Sequence, residues 1–162
     1  MRKKLLRLSA ILIVSGGIIL KLFFCDYMII NGSSMSDAYR NGDIVLLEKQ
    51  FKDLKRYDVV IVKVNNAEMK GKIIKRVVGL PTETVQIVDG YVFINGIRLE
   101  DDVVDIKMEY AGIASDEIML AGNEYFLLGD NRNESNDSRY LGTVSKEQIL
   151  GRVFIKVFEK DK

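Results

Sequence analysis

Three polar segments of the 162-residue chain carry side chains able to make and break bonds. The first, Asn31-Gly32-Ser33-Ser34-Met35, offers serine hydroxyls in a turn-forming run. The second is Lys75, inside Lys72-Ile-Ile-Lys-Arg-Val-Val-Gly-Leu-Pro81. Strand alternation puts Ile73, Lys75 and Val77 on one face, and Ile74, Arg76 and Val78 on the other. A lysine among apolar neighbours loses proton affinity, because desolvation penalises the ammonium more than the amine. Such a group is a base near neutral pH. Taken singly, the first is an ordinary polar turn and the second an ordinary strand lysine. The third, Gly129-Asp-Asn-Arg-Asn-Glu-Ser-Asn-Asp-Ser-Arg139, is a polar loop directly after an apolar run. A calcium loop does not fit it. Arg132 would take the third ligand position, Ser135 the glycine position and Leu141 that of the bidentate glutamate.

The missing residues narrow the chemistry. There is no histidine, so Ser-His-Asp triads, Cys-His dyads and HExxH zinc sites are excluded. One cysteine excludes an intramolecular disulfide and any CxxC site. A hydrolytic base must therefore be Lys, Asp, Glu or Tyr. There is no Ser-x-x-Lys pair and no Gly-x-Ser-x-Gly elbow. Three Asn-x-Ser sequons, at Asn31, Asn133 and Asn136, are weak signals. No cofactor or metal is expected.

The elements that must position these residues differ in kind. Residues 1 to 25 hold Arg2, Lys3, Lys4, Arg7 and Lys21 and no acid. Residues 26 to 162 hold the remaining 19 basic and all 23 acidic residues, a net of −4 within a total of +1. That acidic body argues against nucleic-acid binding. Leu5 to Phe24 carries only two charges, Arg7 and Lys21, near its ends. Twenty helical residues span about 30 Å, the hydrocarbon thickness of a bilayer. The expectation is one membrane anchor over residues 1–25, N-terminus cytoplasmic and body extracytoplasmic. A cleaved secretory signal would want a small-x-small pair, but Lys-Leu-Phe-Phe-Cys follows Leu20. A lipoprotein anchor would want a small residue before Cys25, where Phe24 stands.

The body, residues 26–162, reads as β. Short runs rich in Val, Ile, Phe and Tyr occur at 44–47, 58–64, 72–78, 84–88, 91–94, 124–128 and 152–158. Asp89-Gly90 and Asn95-Gly96 mark hairpin turns. Short helical turns are expected near Ser115–Ala121 and Ser145–Ile149. The fold class is mostly β: one domain of coiled or barrel-like antiparallel sheets behind one transmembrane helix.

In this order the segments resemble the type I signal peptidases, family S26, of the short Gram-positive kind with a single anchor. The motifs are Gly32-Ser33-Ser34-Met35, Gly42-Asp43-Ile44-Val45, Lys75-Arg76-Val77-Val78-Gly79-Leu80-Pro81, Asp89-Gly90-Tyr91-Val92-Phe93-Ile94-Asn95-Gly96 and the Gly129–Arg139 string. The resemblance implies a Ser/Lys dyad serine protease, with Ser34 the nucleophile and Lys75 the general base. It implies that Ser135 orients the lysine, and that the Ser34 N–H, helped by the residue at Gly32, serves the oxyanion. Met35, Arg76, Asp130, Asp137 and Arg139 would support the site. The partners implied are exported preproteins with small residues before the cut, and the lipid bilayer. Two stretches depart from the family pattern: Ser36-Asp37-Ala38-Tyr39 replaces x-Pro-Thr-Leu, and Pro81-Thr82-Glu83 replaces Pro-Gly-Asp. The rival reading is a peptidase-like accessory protein for assembling surface structures such as pili, with weak or no proteolysis. A self-cleaving repressor shares the dyad, but would need a helix-turn-helix domain and a basic face.

Overall fold

The computed structural model describes residues 25–36, 38–65, 69–100 and 103–159. The expected anchor lies outside the described residues. Among the described residues, no helix is long and apolar enough to cross a membrane.

The described chain is built from antiparallel strands. They are β1 (Cys25–Ile29), β2 (Ile44–Glu48), β3 (Val59–Asn65), β4 (Lys70–Gly79), β5 (Thr84–Val88), β6 (Tyr91–Ile94), β7 (Ile97–Arg98), β8 (Ile118–Met119), β9 (Glu124–Leu128), β10 (Val144–Ser145) and β11 (Ile149–Phe158). A seven-stranded sheet runs β1-β2-β11-β3-β4-β9-β10, and a four-stranded sheet runs β7-β6-β5-β8. The mostly β, antiparallel expectation is borne out.

β4 is the strand on which the layout turns. Residues 70–76 pair with β3, and Arg76 to Gly79 then pair with β9. The register keeps the alternation read from the sequence. Val62 faces Ile73 and Val60 faces Lys75, while Ile61 faces Ile74 and Val59 faces Arg76. Val60, Val62, Ile73 and Val77 share one apolar cluster with Leu127. Val59, Ile61 and Ile74 pack with Ile30 and Met35 in another. A third cluster joins Val78, Phe126 and Leu128 to the small sheet through Val85, Ile87 and Val92.

Both dipeptide turns form as their chemistry demands. Asp89 and Gly90 have φ of 53° and 85°, and Asn95 and Gly96 have 51° and 77°. Positive φ at both central residues gives the twist that a two-residue hairpin needs. The second helical turn falls where expected, as a 3₁₀ turn over Lys146–Gln148 closed by a Ser145/Gln148 capping box. The first is displaced. The 3₁₀ turn covers Gly112–Ser115, and the chain is already extended at Asp116, because Ile118 and Met119 pair with β5. A one-turn helix, α1 (Ser138–Leu141), follows the polar loop and was not foreseen. β1 (Cys25–Ile29) was not foreseen either, since the sequence reading placed no strand before Ile44 and gave Cys25 to the anchor.

Gly79 shows how tightly the two sheets meet. A Cβ there would lie 2.6 Å from Val85 Cγ2 and 2.8 Å from Phe126 Cβ. Gly79→Ala is expected to destabilise the domain by about 1–3 kcal/mol through overpacking, measured by urea unfolding.

Candidate active site

The three chemistry-bearing segments converge. Ser34 sits on the β1–β2 connection, whose base is closed by Ile30 N–H donating to Asp43 O and Gly42 N–H to Ile30 O, each 2.8 Å. Asp43 is fully buried and accepts the Arg40 N–H at 2.9 Å. Lys156 of β11 reaches the same connection. Its Nζ is 3.4 Å from Asp43 Oδ2 and donates to Ala38 O at 3.1 Å. Sequence reasoning missed Lys156. It sits in an alternating strand, and nothing in its own neighbourhood marks it. Met35 is 1% exposed and pins the connection to β3 and β4 through Ile61 and Ile74.

Lys75 Nζ lies 2.6 Å from Ser34 Oγ and donates to Ile74 O at 3.0 Å. The lysine is 3% exposed. Burial lowers its pKa to about 8, opposed by the Asp137 and Asp130 carboxylates and reinforced by Arg139. Near that pH a large fraction of Lys75 is amine, and an amine lone pair can accept the Ser34 proton.

Two buried ion pairs frame the dyad. Arg76 Nε and Nη2 grip Asp130 Oδ1 and Oδ2 at 2.7 and 2.6 Å, while Nη1 donates to Tyr57 O at 2.9 Å. The Asp130 N–H in turn points at Met35 Sδ, 3.3 Å away. In the second pair, Arg139 Nε and Nη2 bond Asp137 Oδ1 and Oδ2, each at 2.9 Å. Asp137 Oδ2 also accepts the Gly129 N–H at 3.0 Å, and Arg139 Nη2 donates to Arg132 O. The loop is thus held from both ends. It approaches the nucleophile through Asn131, whose N–H donates to Ser34 O at 3.1 Å. Gly129 is required there, since a Cβ would lie 2.1 Å from Ser135 Oγ and 2.6 Å from Ser34 O.

Two expected contacts differ. Ser135 is 5% exposed beside the dyad, but its Oγ has no hydrogen-bond partner among the described residues. Lys75 Nζ spends its bonds on Ser34 Oγ and Ile74 O instead. The Gly32 N–H is already donated to Asn41 Oδ1 at 3.2 Å, so it is not free for an oxyanion. The Ser34 N–H makes no hydrogen bond among the described residues. Among those residues there is also no cluster of His, Cys, Asp or Glu arranged to hold a metal.

The sequence profile described as "Signal peptidase, peptidase S26" matches residues 2–158. The chain belongs to the signal peptidase family, peptidase S26. The resemblance read from the motifs is thereby borne out. The chain is 31% identical over 145 residues to the probable signal peptidase I-2 of Synechocystis sp., covering 85% of this chain and 65% of that protein. Signal peptidase I V of Bacillus subtilis is 31% identical over 142 residues, covering 79% of this chain and 82% of that protein. A crystal structure of a signal peptidase I from Enterococcus faecalis V583 superposes with a TM-score of 0.52 at 29% identity, covering 65% of this chain and all of that one.

The Arg76–Asp130 pair is buried on both sides, so removing one partner strands the other charge. Asp130→Ala is expected to lower unfolding stability by about 3–5 kcal/mol, read from urea midpoints.

Proposed function

We propose that this member of the signal peptidase family is a membrane-bound serine endopeptidase that cleaves signal peptides from exported preproteins. The single observation that carries the mechanism is the 2.6 Å approach of a buried, pKa-lowered Lys75 to Ser34 Oγ. Neutral Lys75 takes the Ser34 proton as Oγ attacks the scissile carbonyl. The tetrahedral oxyanion is met by the unengaged Ser34 N–H. Lys75 then gives its proton to the leaving amine, and an acyl-enzyme remains. Water, deprotonated by Lys75 in turn, releases the signal peptide and regenerates the serine.

An extended substrate has a place to bind. β9 pairs with β4 only from Arg76 onward, so among the described residues β4 has no strand partner on that side before Lys75. A preprotein segment that adds as a strand there brings its carbonyl to Ser34. Small residues at the first and third positions before the cut suit this family. Residues 1–25 supply the cytoplasmic basic tip and the membrane anchor, with the N-terminus cytoplasmic and the β domain extracytoplasmic. Cleavage then takes place where a preprotein emerges from the membrane. The dyad geometry favours this reading over an accessory role without proteolysis.

The test compares the full chain with Ser34→Ala and Lys75→Ala, in detergent, on a preprotein. Each substitution is expected to reduce kcat/KM by about a thousandfold or more. Lys75 must be unprotonated, so kcat/KM is expected to fall about tenfold per pH unit below its folded pKa, which lies at about 8. Full activity in either variant refutes the dyad.

A further inference from the structure

We infer that Lys156 of β11 is a positioning residue for the Ser34 nucleophile, acting through the Ala38 carbonyl of the β1–β2 connection. This rests on the reading of Ser34 and Lys75 as a proteolytic dyad, and deepens it. β11 is shaped to aim this side chain inward. Its register against β2 breaks twice, between Val153 and Ile155 and between Lys156 and Phe158. Such breaks re-aim the side chains beside them. Here they invert the usual order of burial. Phe154, Ile155, Val157 and Phe158 are exposed, while the Lys156 side chain among them is 27% exposed. Its ammonium reaches three groups of the connection. It donates to Ala38 O at 3.1 Å, lies 3.4 Å from Asp43 Oδ2 and stands 5.7 Å from the centre of the Tyr39 ring. Glu159 Oε1, just past β11, is also 3.4 Å away.

Charge balance alone does not account for this arrangement. Neutralising the buried Asp43 carboxylate does not require a bond to Ala38 O, which lies closer along the chain to the nucleophile. No proline stiffens residues 31–43, so contacts must hold the connection. The Ala38 and Tyr39 N–H groups donate to Met35 O at 3.0 and 2.6 Å, and the Ser36 N–H donates to Ser33 O at 3.0 Å. These turns link Ala38 back to Ser34, so fixing the Ala38 carbonyl fixes Ser34 Oγ. Tyr39 extends the link. Burial raises its pKa, and the charges of Arg76, Lys156 and Asp130 all act on it. The ring is therefore within reach of both the lysine and the ion pair beside the dyad. Lys156 sets position and not proton affinity, because the charges that shift Lys75 are those of Asp137, Asp130 and Arg139. Position is enough, since a misplacement of about 1 Å at a reacting atom costs about a hundredfold in rate.

The test uses the full chain in detergent with a preprotein substrate. Lys156→Met strands the Asp43 charge, so it is combined with Asp43→Asn, which keeps an acceptor for the Arg40 N–H. The double variant is expected to keep a urea midpoint close to that of the wild type and to lose kcat about tenfold or more, with KM changed by less than about twofold. The pH midpoint of kcat/KM is expected to stay at about 8. Lys156→Arg can still donate to Ala38 O and is expected to keep kcat within about threefold of wild type. Arg152→Met removes a different β11 ion-pair set, with Glu48 and Asp58, and is expected to leave kcat unchanged. Wild-type kcat in the double variant overturns the proposal. So does a raised pH midpoint, an equal loss in Arg152→Met, or no recovery with Lys156→Arg. A second readout needs no catalysis. In the double variant the Ser36, Ala38 and Tyr39 amides are expected to exchange with deuterium about tenfold faster, while those of β9 are unchanged. Unchanged exchange at the three amides overturns the proposal. Failure of the proteolytic reading shows separately, as absent cleavage by the wild-type chain.

Discussion

Lys75 sits 3% exposed beside a serine, and the arrangement of the domain follows from keeping it there. Moving its pKa from 10.5 to about 8 corresponds to roughly 3 kcal/mol of lost folding stability at pH values below 8. The sign follows from proton counts. Above pH 8 the unfolded chain binds more protons at this site than the folded one, so the penalty shrinks as pH rises towards 10.5. The apolar clusters on both faces of β3 and β4 offset that penalty.

The surrounding charges are arranged so that they do not undo the desolvation. Asp137 and Asp130 both pull the lysine back towards its charged form. Each is gripped in bidentate fashion by its own arginine, Arg139 and Arg76. Arg139 also lowers the Lys75 pKa directly. The same pairs are mechanical. They fix the Gly129–Asp137 loop against β4, and that loop holds Ser34 through Asn131. Geometry and proton affinity are therefore set by one set of contacts.

Much of the fold was legible. Runs at 84–88, 91–94 and 124–128 became β5, β6 and β9 with the same bounds, and the two dipeptide turns formed with positive φ. Strand period and turn chemistry are local, so a sequence displays them. The Gly112–Ser115 turn was misplaced because pairing of Ile118 and Met119 with β5 outweighs local helical preference. α1 was missed because its four residues depend on Asp137 capping the Arg139 N–H, inside a loop that reads as uniformly polar. The dyad was legible through motif order, not through geometry. Lys156 and Asn41 were not, since their partners are distant or across a turn. The unpartnered Ser135 hydroxyl is likewise a fact of three dimensions.

The central claim is that burial makes Lys75 a base. The most direct measurement is an NMR titration of isotopically labelled lysine in the detergent-solubilised full chain, with Lys75→Ala to assign the signal. The account predicts a Lys75 midpoint at about 8, well below the value of 10.5 expected for a solvated lysine. A midpoint at or above 10.5 would contradict it.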